Sequence, residues 1–220
     1  SGDHIVEQHV HNLDVMNWFM GAHPVAARGM GARHRRVTGD QWDNFSVDFV
    51  FENGVHVHSM CRQINGCWNL VAERLQGTKG STNCIDTIYD LEGKEIWKYQ
   101  YPLGEDGQPN RRALKDPYVQ EHIDMVKAIR TNQPFNELEN TAISTMTAIM
   151  GRISAYTGKE VTWDEVMNSD MKLGPKVLVF GPVDIPKQVP IPGEAYDPEA
   201  ERRRAEERAA RAKQTQSASS

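Results

Sequence analysis

Residues 45–51 read FSVDFVF, with Phe45, Val47, Phe49 and Phe51 alternating with Ser46, Asp48 and Val50 before Asn53 and Gly54. Successive side chains of an extended chain point to opposite faces, so a period of two predicts a strand with one buried face, ended by a tight turn. Outward from it, VHVHSMCRQI (55–64), CWNLVAERLQ (67–76), STNCIDTIYD (81–90) and KEIWKYQY (94–101) continue the strands, separated by NG, GTKG and EGK turns. Strands joined by such short turns pair antiparallel. Beyond the strand region the period lengthens. Val10, Leu13, Met16 and Met20 predict a helix closed by Gly21 and Pro24, and Pro117 opens a second helix over PYVQEHIDMVKAIR. A third, in ELENTAISTMTAIMGRISAYTG, buries Ala142, Ile143, Met146, Ile149, Met150 and Ile153 before Gly158 stops it. The expected fold class is α+β, a large, mostly antiparallel sheet with helices packed on one face.

Composition narrows the function classes. A chain of 220 residues, 39% of them hydrophobic, can bury one sizeable core. Its longest apolar runs, VLVF and VDFVF, fall far short of the roughly 18 residues of a spanning helix, so no membrane partner is expected. A net charge of −5 gives no basic footprint for nucleic acid. Cys61, Cys67 and Cys84 are odd in number and form no CxxC pair, so they are expected to be reduced. Residues 1–172 form the expected domain, 173–198 a proline-rich extension, and 199–220 a charged, solvated tail with almost no apolar stripe.

The chemistry is concentrated in the opening SGDHIVEQHVHNLDVMNWFMG. If 7–18 are helical, Glu7, His11, Asp14 and Trp18 share a polar face distinct from the apolar one. Histidine is suited to moving a proton at neutral pH, and a carboxylate one turn away fixes its tautomer and raises its basicity. A helix start with an acid in its first turn and a solvated histidine reads identically, and the spacing leaves both open. His4, Glu7, His9 and His11 do not have the HExxH spacing, and HxH splays its rings apart on a helix, so no metal site is expected. On the strand VHVHSMCRQI, His56, His58, Met60 and Arg62 point to one face, which is read first as a subunit contact, with Arg62 the candidate for ligand recognition. GTKGST lacks the spacing of a phosphate loop and joins two strands, so it is a turn.

DHIVEQHVHNLDVMNWFMG resembles the motif that opens the C-terminal domain of the Gfo/Idh/MocA family of NAD(P)-dependent oxidoreductases. ENGVHVHSMCRQI, ERLQGTKGS, PYVQEHIDMVKAIR and TAIMGRISAYTGKEVTWDEV resemble later segments of that domain, so the likeness runs from residue 2 to about 170. The resemblance implies a full-length enzyme whose N-terminal Rossmann domain binds NAD or NADP, with this chain beginning where that domain ends. No cofactor is expected to bind this chain alone, because its nearest approach to GxGxxG, GMGARH at 29–34, lacks the last glycine and sits among strands. By the same resemblance the catalytic histidine is His11 and its acidic partner Glu7, where many members have aspartate. Asp14 matches the next acidic position and is placed to orient the helix or bind substrate hydroxyls. His9 has no role in the general motif and is counted with Asp14 and Arg62 among the candidate substrate contacts. The implied function is the substrate-binding and acid-base half of an oxidoreductase acting on a sugar, polyol or related hydroxyl-rich small molecule, inactive alone, with homo-oligomers formed through the open sheet face. The alternative is a stand-alone, non-redox binding or oligomerisation domain.

Overall fold

The structure is a computed structural model that describes residues 3–37, 39–114, 116–174, 178–181 and 189–193. The described residues fall into two compact units, one comprising those up to Cys67 and from Asn140 onward, the other Trp68–Glu139.

In the first unit, α1 (His4–Glu7) and α2 (Val10–Met20) precede three strands, β1 (Ala26–Ala32), β2 (Asn44–Val50) and β3 (His56–Arg62). Helix α4 (Leu138–Thr157), strand β8 (Glu160–Thr162) and helix α5 (Trp163–Met167) complete it. The sheet order is β3-β2-β1-β8, antiparallel throughout. Strand β2 alternates as its sequence requires: Phe45, Val47 and Phe49 are buried while Ser46 and Asp48 are not. Phe51 N–H to Val55 O (2.9 Å) closes the turn into β3, and Gly54 takes its left-handed φ of 79°. The inward side chains of β2 pack with Ile5 of α1, Leu13 and Met16 of α2, and Ala148, Met150 and Ala155 of α4. Each large apolar side chain so buried contributes about 1.5–3 kcal/mol. Helix ends follow the sequence: Gly21 (φ 63°) caps α2 and Gly158 (φ 70°) stops α4.

The second unit is a meander, β4 (Leu75–Gly77), β5 (Gly80–Thr82), β6 (Thr87–Tyr89) and β7 (Glu95–Lys98), followed by α3 (Pro117–Thr131). Helix α3 starts at Pro117 with the Asp116 carboxylate accepting the Tyr118 N–H (2.8 Å). The α+β class and the antiparallel pairing match the sequence expectation, and the strands are shared between two four-stranded sheets. Residues 67–74, expected as the start of a strand, form none, and their large apolar side chains Trp68, Leu70 and Val71 are all exposed. Of the proline-rich extension, 189–193 return to the first unit, with Pro190 buried and the Gly193 N–H bonded to Thr157 O (3.0 Å). The rest of 182–198, residues 175–177 and the whole charged tail lie outside the described residues.

Candidate functional site

The opening stretch is two helices with a joint between them. Gln8 leaves helical geometry (φ −121°, ψ −48°), and α2 restarts with His9 as its N-cap. Glu7 and His11 therefore stand on either side of the joint, both exposed. Among the described residues no hydrogen bond or ion pair connects them, and the Glu7 charge acts on His4 instead. His11 and Asp14, three residues apart, lie together on the exposed side of α2, with Trp18 (78% exposed) at its far end. The Asp14 carboxylate accepts the Ser144 hydroxyl of α4 at 2.6 Å.

His9 points the other way, and its Nε2 shares a 2.7 Å hydrogen bond with Ser59 Oγ on β3. Burial, and then the neighbouring His4, push its pKa down to about 4, with an Asn12 hydrogen bond opposing. The ring is therefore neutral at pH 7 and fastens the joint to the sheet. His4 is shifted down as well, chiefly by burial, and its Nδ1 is buried without a hydrogen-bond partner among the described residues. Arg62 lies at the exposed end of β3, and strand alternation puts it on the face opposite Ser59. The structure thus gathers His11, Asp14 and, across the joint, Glu7, and separates from them His9, which is turned inward, and Arg62, on the other side of the sheet.

Two buried carboxylates were not singled out from the sequence. Asp3 is fully buried and accepts hydrogen bonds from the Trp42 N–H (2.9 Å), the Tyr156 hydroxyl (2.6 Å) and Arg152 Nε. The Arg152 guanidinium lies over the Tyr156 ring, 4.2 Å from its centre, and that ring stacks on Trp42. Burial and then Asp3 push the Tyr156 hydroxyl well above its ordinary range, which keeps it a proton donor. The only local signal was an aspartate before a helix, which reads as an N-cap, yet its side chain makes no capping bond. Asp43, also buried, sits in a nest of backbone N–H groups from His34 (3.0 Å), Arg35 (2.7 Å) and Arg36 (3.1 Å). Burial works against its ionisation, but these donors and the Asn44 amide outweigh it and lower the pKa. Both aspartates hold the scaffold, Asp3 tying α1 to α4 and Asp43 shaping the β1–β2 connection.

The 29–34 stretch begins inside β1, where Gly29 pairs with Val47 and Gly31 with Phe45. A Cβ on Gly29 would meet Ala155 N at 2.8 Å, so the glycines are spaces taken by α4 and Trp42, not room for a phosphate.

The GFO/IDH/MocA C-terminal domain model matches residues 1–83, which carry α1, α2 and the first three strands. Over these residues the chain is similar to that family. The solved structures agree in fold. The aldose-aldose oxidoreductase of Caulobacter crescentus, complexed with glycerol, superposes with a TM-score of 0.56 at 16% identity, covering 73% of this chain and 48% of that one. UDP-N-acetylglucosamine 3-dehydrogenase from Acidithiobacillus ferrooxidans gives a TM-score of 0.54 at 18% identity, covering 70% of this chain and 47% of that one. The scyllo-inositol dehydrogenase of Lactobacillus casei, solved with NAD(H) and scyllo-inositol, gives 0.52 at 17% identity, covering 74% and 49%. The chain spans about half the length of these structures. No curated protein matches by sequence. Glu7, His11 and Asp14, the acid, histidine and second acid of the opening stretch, are all exposed, Glu7 on α1 and the other two on α2.

Proposed function

We propose that this chain supplies the substrate-binding and acid-base part of an NAD(P)-dependent oxidoreductase acting on a sugar, polyol or related hydroxyl-rich substrate, and is inactive alone. The observation that carries this reading is the placement of His11 and Asp14 side by side on an exposed helix face within the region matched by the family model. Hydride exchange is the chemistry that a nicotinamide bound by a separate region would supply. What this chain contributes is the path of the proton. His11 takes the proton of the substrate hydroxyl when the alcohol is oxidised and returns it in reduction. Glu7, across the joint and equally exposed, supports the protonated imidazole once substrate closes the site. Asp14 receives a substrate hydroxyl. His9 serves by locking the joint from inside, and the open face of the first sheet, which ends at Arg62, pairs with a second copy.

The test is His11→Ala in the enzyme formed when this region is joined to its nicotinamide-binding region. Turnover should fall by the ~10²–10⁴-fold typical of general acid-base catalysis while the melting temperature holds, since the side chain is exposed. Glu7→Gln should cost less. Wild-type turnover per folded molecule in His11→Ala would refute the assignment, and micromolar NAD binding to these 220 residues by calorimetry would contradict the division of labour.

A further inference from the structure

Asn17 is an unexpected residue for its place. It lies on α2 with the buried Leu13 and Met16, and only 9% of its surface is exposed. Its Nδ2 donates to Thr147 Oγ1 at 3.1 Å and to Ser144 Oγ at 3.4 Å, both buried on α4. Its Oδ1 is buried with no hydrogen-bond partner among the described residues. An unmet buried carbonyl destabilises the fold, and a leucine of similar size would avoid that cost.

The compensation lies one bond further on. A serine hydroxyl has a single proton, so Ser144, accepting from Asn17, donates outward to Asp14 Oδ1 at 2.6 Å. Thr147 is fixed in the same way, accepting from Asn17 and donating to Ile143 O at 3.0 Å. The chain Asn17 to Ser144 to Asp14 is therefore directional. It starts in the core and ends at an exposed carboxylate three residues from His11, where helix neighbours stand about 5–6 Å apart at Cβ. A buried polar group that breaks the local apolar rule is what a functional site requires of its scaffold.

We propose that Asn17 and Ser144 are positioning residues that aim Asp14 at a second substrate hydroxyl beside the one His11 deprotonates. The proposal rests on the reading of His11 given above. With one carboxylate oxygen held by Ser144, the other is presented in a fixed direction, and ordering Asp14 in advance removes that cost from binding.

The experiment is a titration of the isotope-labelled 220-residue chain followed by NMR at the His11 ring and the Asn17 side-chain amide, with cis-1,2-cyclohexanediol and cyclohexanol as probes. The diol should bind about tenfold tighter or better and move both reporters, whereas cyclohexanol should move His11 alone. Ser144→Ala and Asn17→Leu should bring the two affinities together, while Ser144→Thr, which keeps the hydroxyl, should retain the preference. A merely structural serine would not give that pattern. Equal affinities in the wild-type chain, or a diol preference that survives both Ser144→Ala and Asn17→Leu, overturns the proposal and leaves the His11 reading standing. If neither probe moves His11, that reading falls and this proposal with it.

Discussion

Asp3 carries more of the fold than any other charged residue in the opening stretch. Its carboxylate satisfies a backbone N–H, a phenol and a guanidinium at once, with none of its own surface exposed. Removing one partner of a buried pair leaves the other charge uncompensated, so Asp3→Ala should lower unfolding free energy by about 3–5 kcal/mol, read as a drop in the urea midpoint. His9 makes stability depend on pH. Its pKa falls from 6.5 in the unfolded chain to about 4 when folded, so the unfolded state takes up a proton that the folded ring refuses. Stability is complete above pH 6.5, declines as pH falls toward 4, and levels off below, with a loss of at most about 3 kcal/mol from this ring. Thermal melts across that window should follow this slope, and His9→Gln, able to keep a bond to Ser59, should flatten it. The sequence placed three histidines in the first eleven residues but could not say which one faces inward, because that depends on where β3 passes.

At the scale of elements, α4 lies on β1 because two glycines let it. A Cβ at Gly29 would meet Ala155 N at 2.8 Å and Gly151 O at 3.0 Å, and one at Gly151 would meet the Phe49 ring at 2.8 Å. The Gly29 N–H also donates to Ser154 Oγ at 2.7 Å, fastening strand to helix. Backbone cannot yield as a flexible side chain does, so Gly29→Ala should cost about 1–3 kcal/mol through displacement of α4, visible as a lowered melting temperature. A melting temperature equal to wild type would mean the contact is looser than it stands. The two-residue period of 45–51 and the cap glycines at 21 and 158 were legible, because strand and helix ends are set by side chains within a turn of each other. The joint at Gln8 was not. Nothing local breaks the helix there; the bond from His9 to Ser59 and the fixing of Asp3 to α4 turn the chain.

For the whole molecule, the contrast between the units matters. The first holds all the buried hydrophobic residues among those described, and the second, Trp68–Glu139, holds none. On the outer face of the first sheet, Met30 and Met60 are 71% and 69% exposed, set among Arg28, Asp48 and His56, which pair with one another through Asp48. Apolar side chains ringed by charges suit an isologous contact, so the chain should sediment as a dimer or larger at tens of micromolar, and Met60→Asp should shift it toward monomer. A strict monomer in the wild type would remove this face from consideration. The sequence by itself determined the α+β class, the antiparallel pairing and the polar face of α2 that bears His11 and Asp14, because each follows from residues a few positions apart. Only the tertiary structure decided that the strands divide into two sheets, that Asp3 serves Trp42 and Tyr156, and that Ser144 reaches Asp14, since these last partners lie 39, 153 and 130 residues apart, a distance over which no local spacing rule acts.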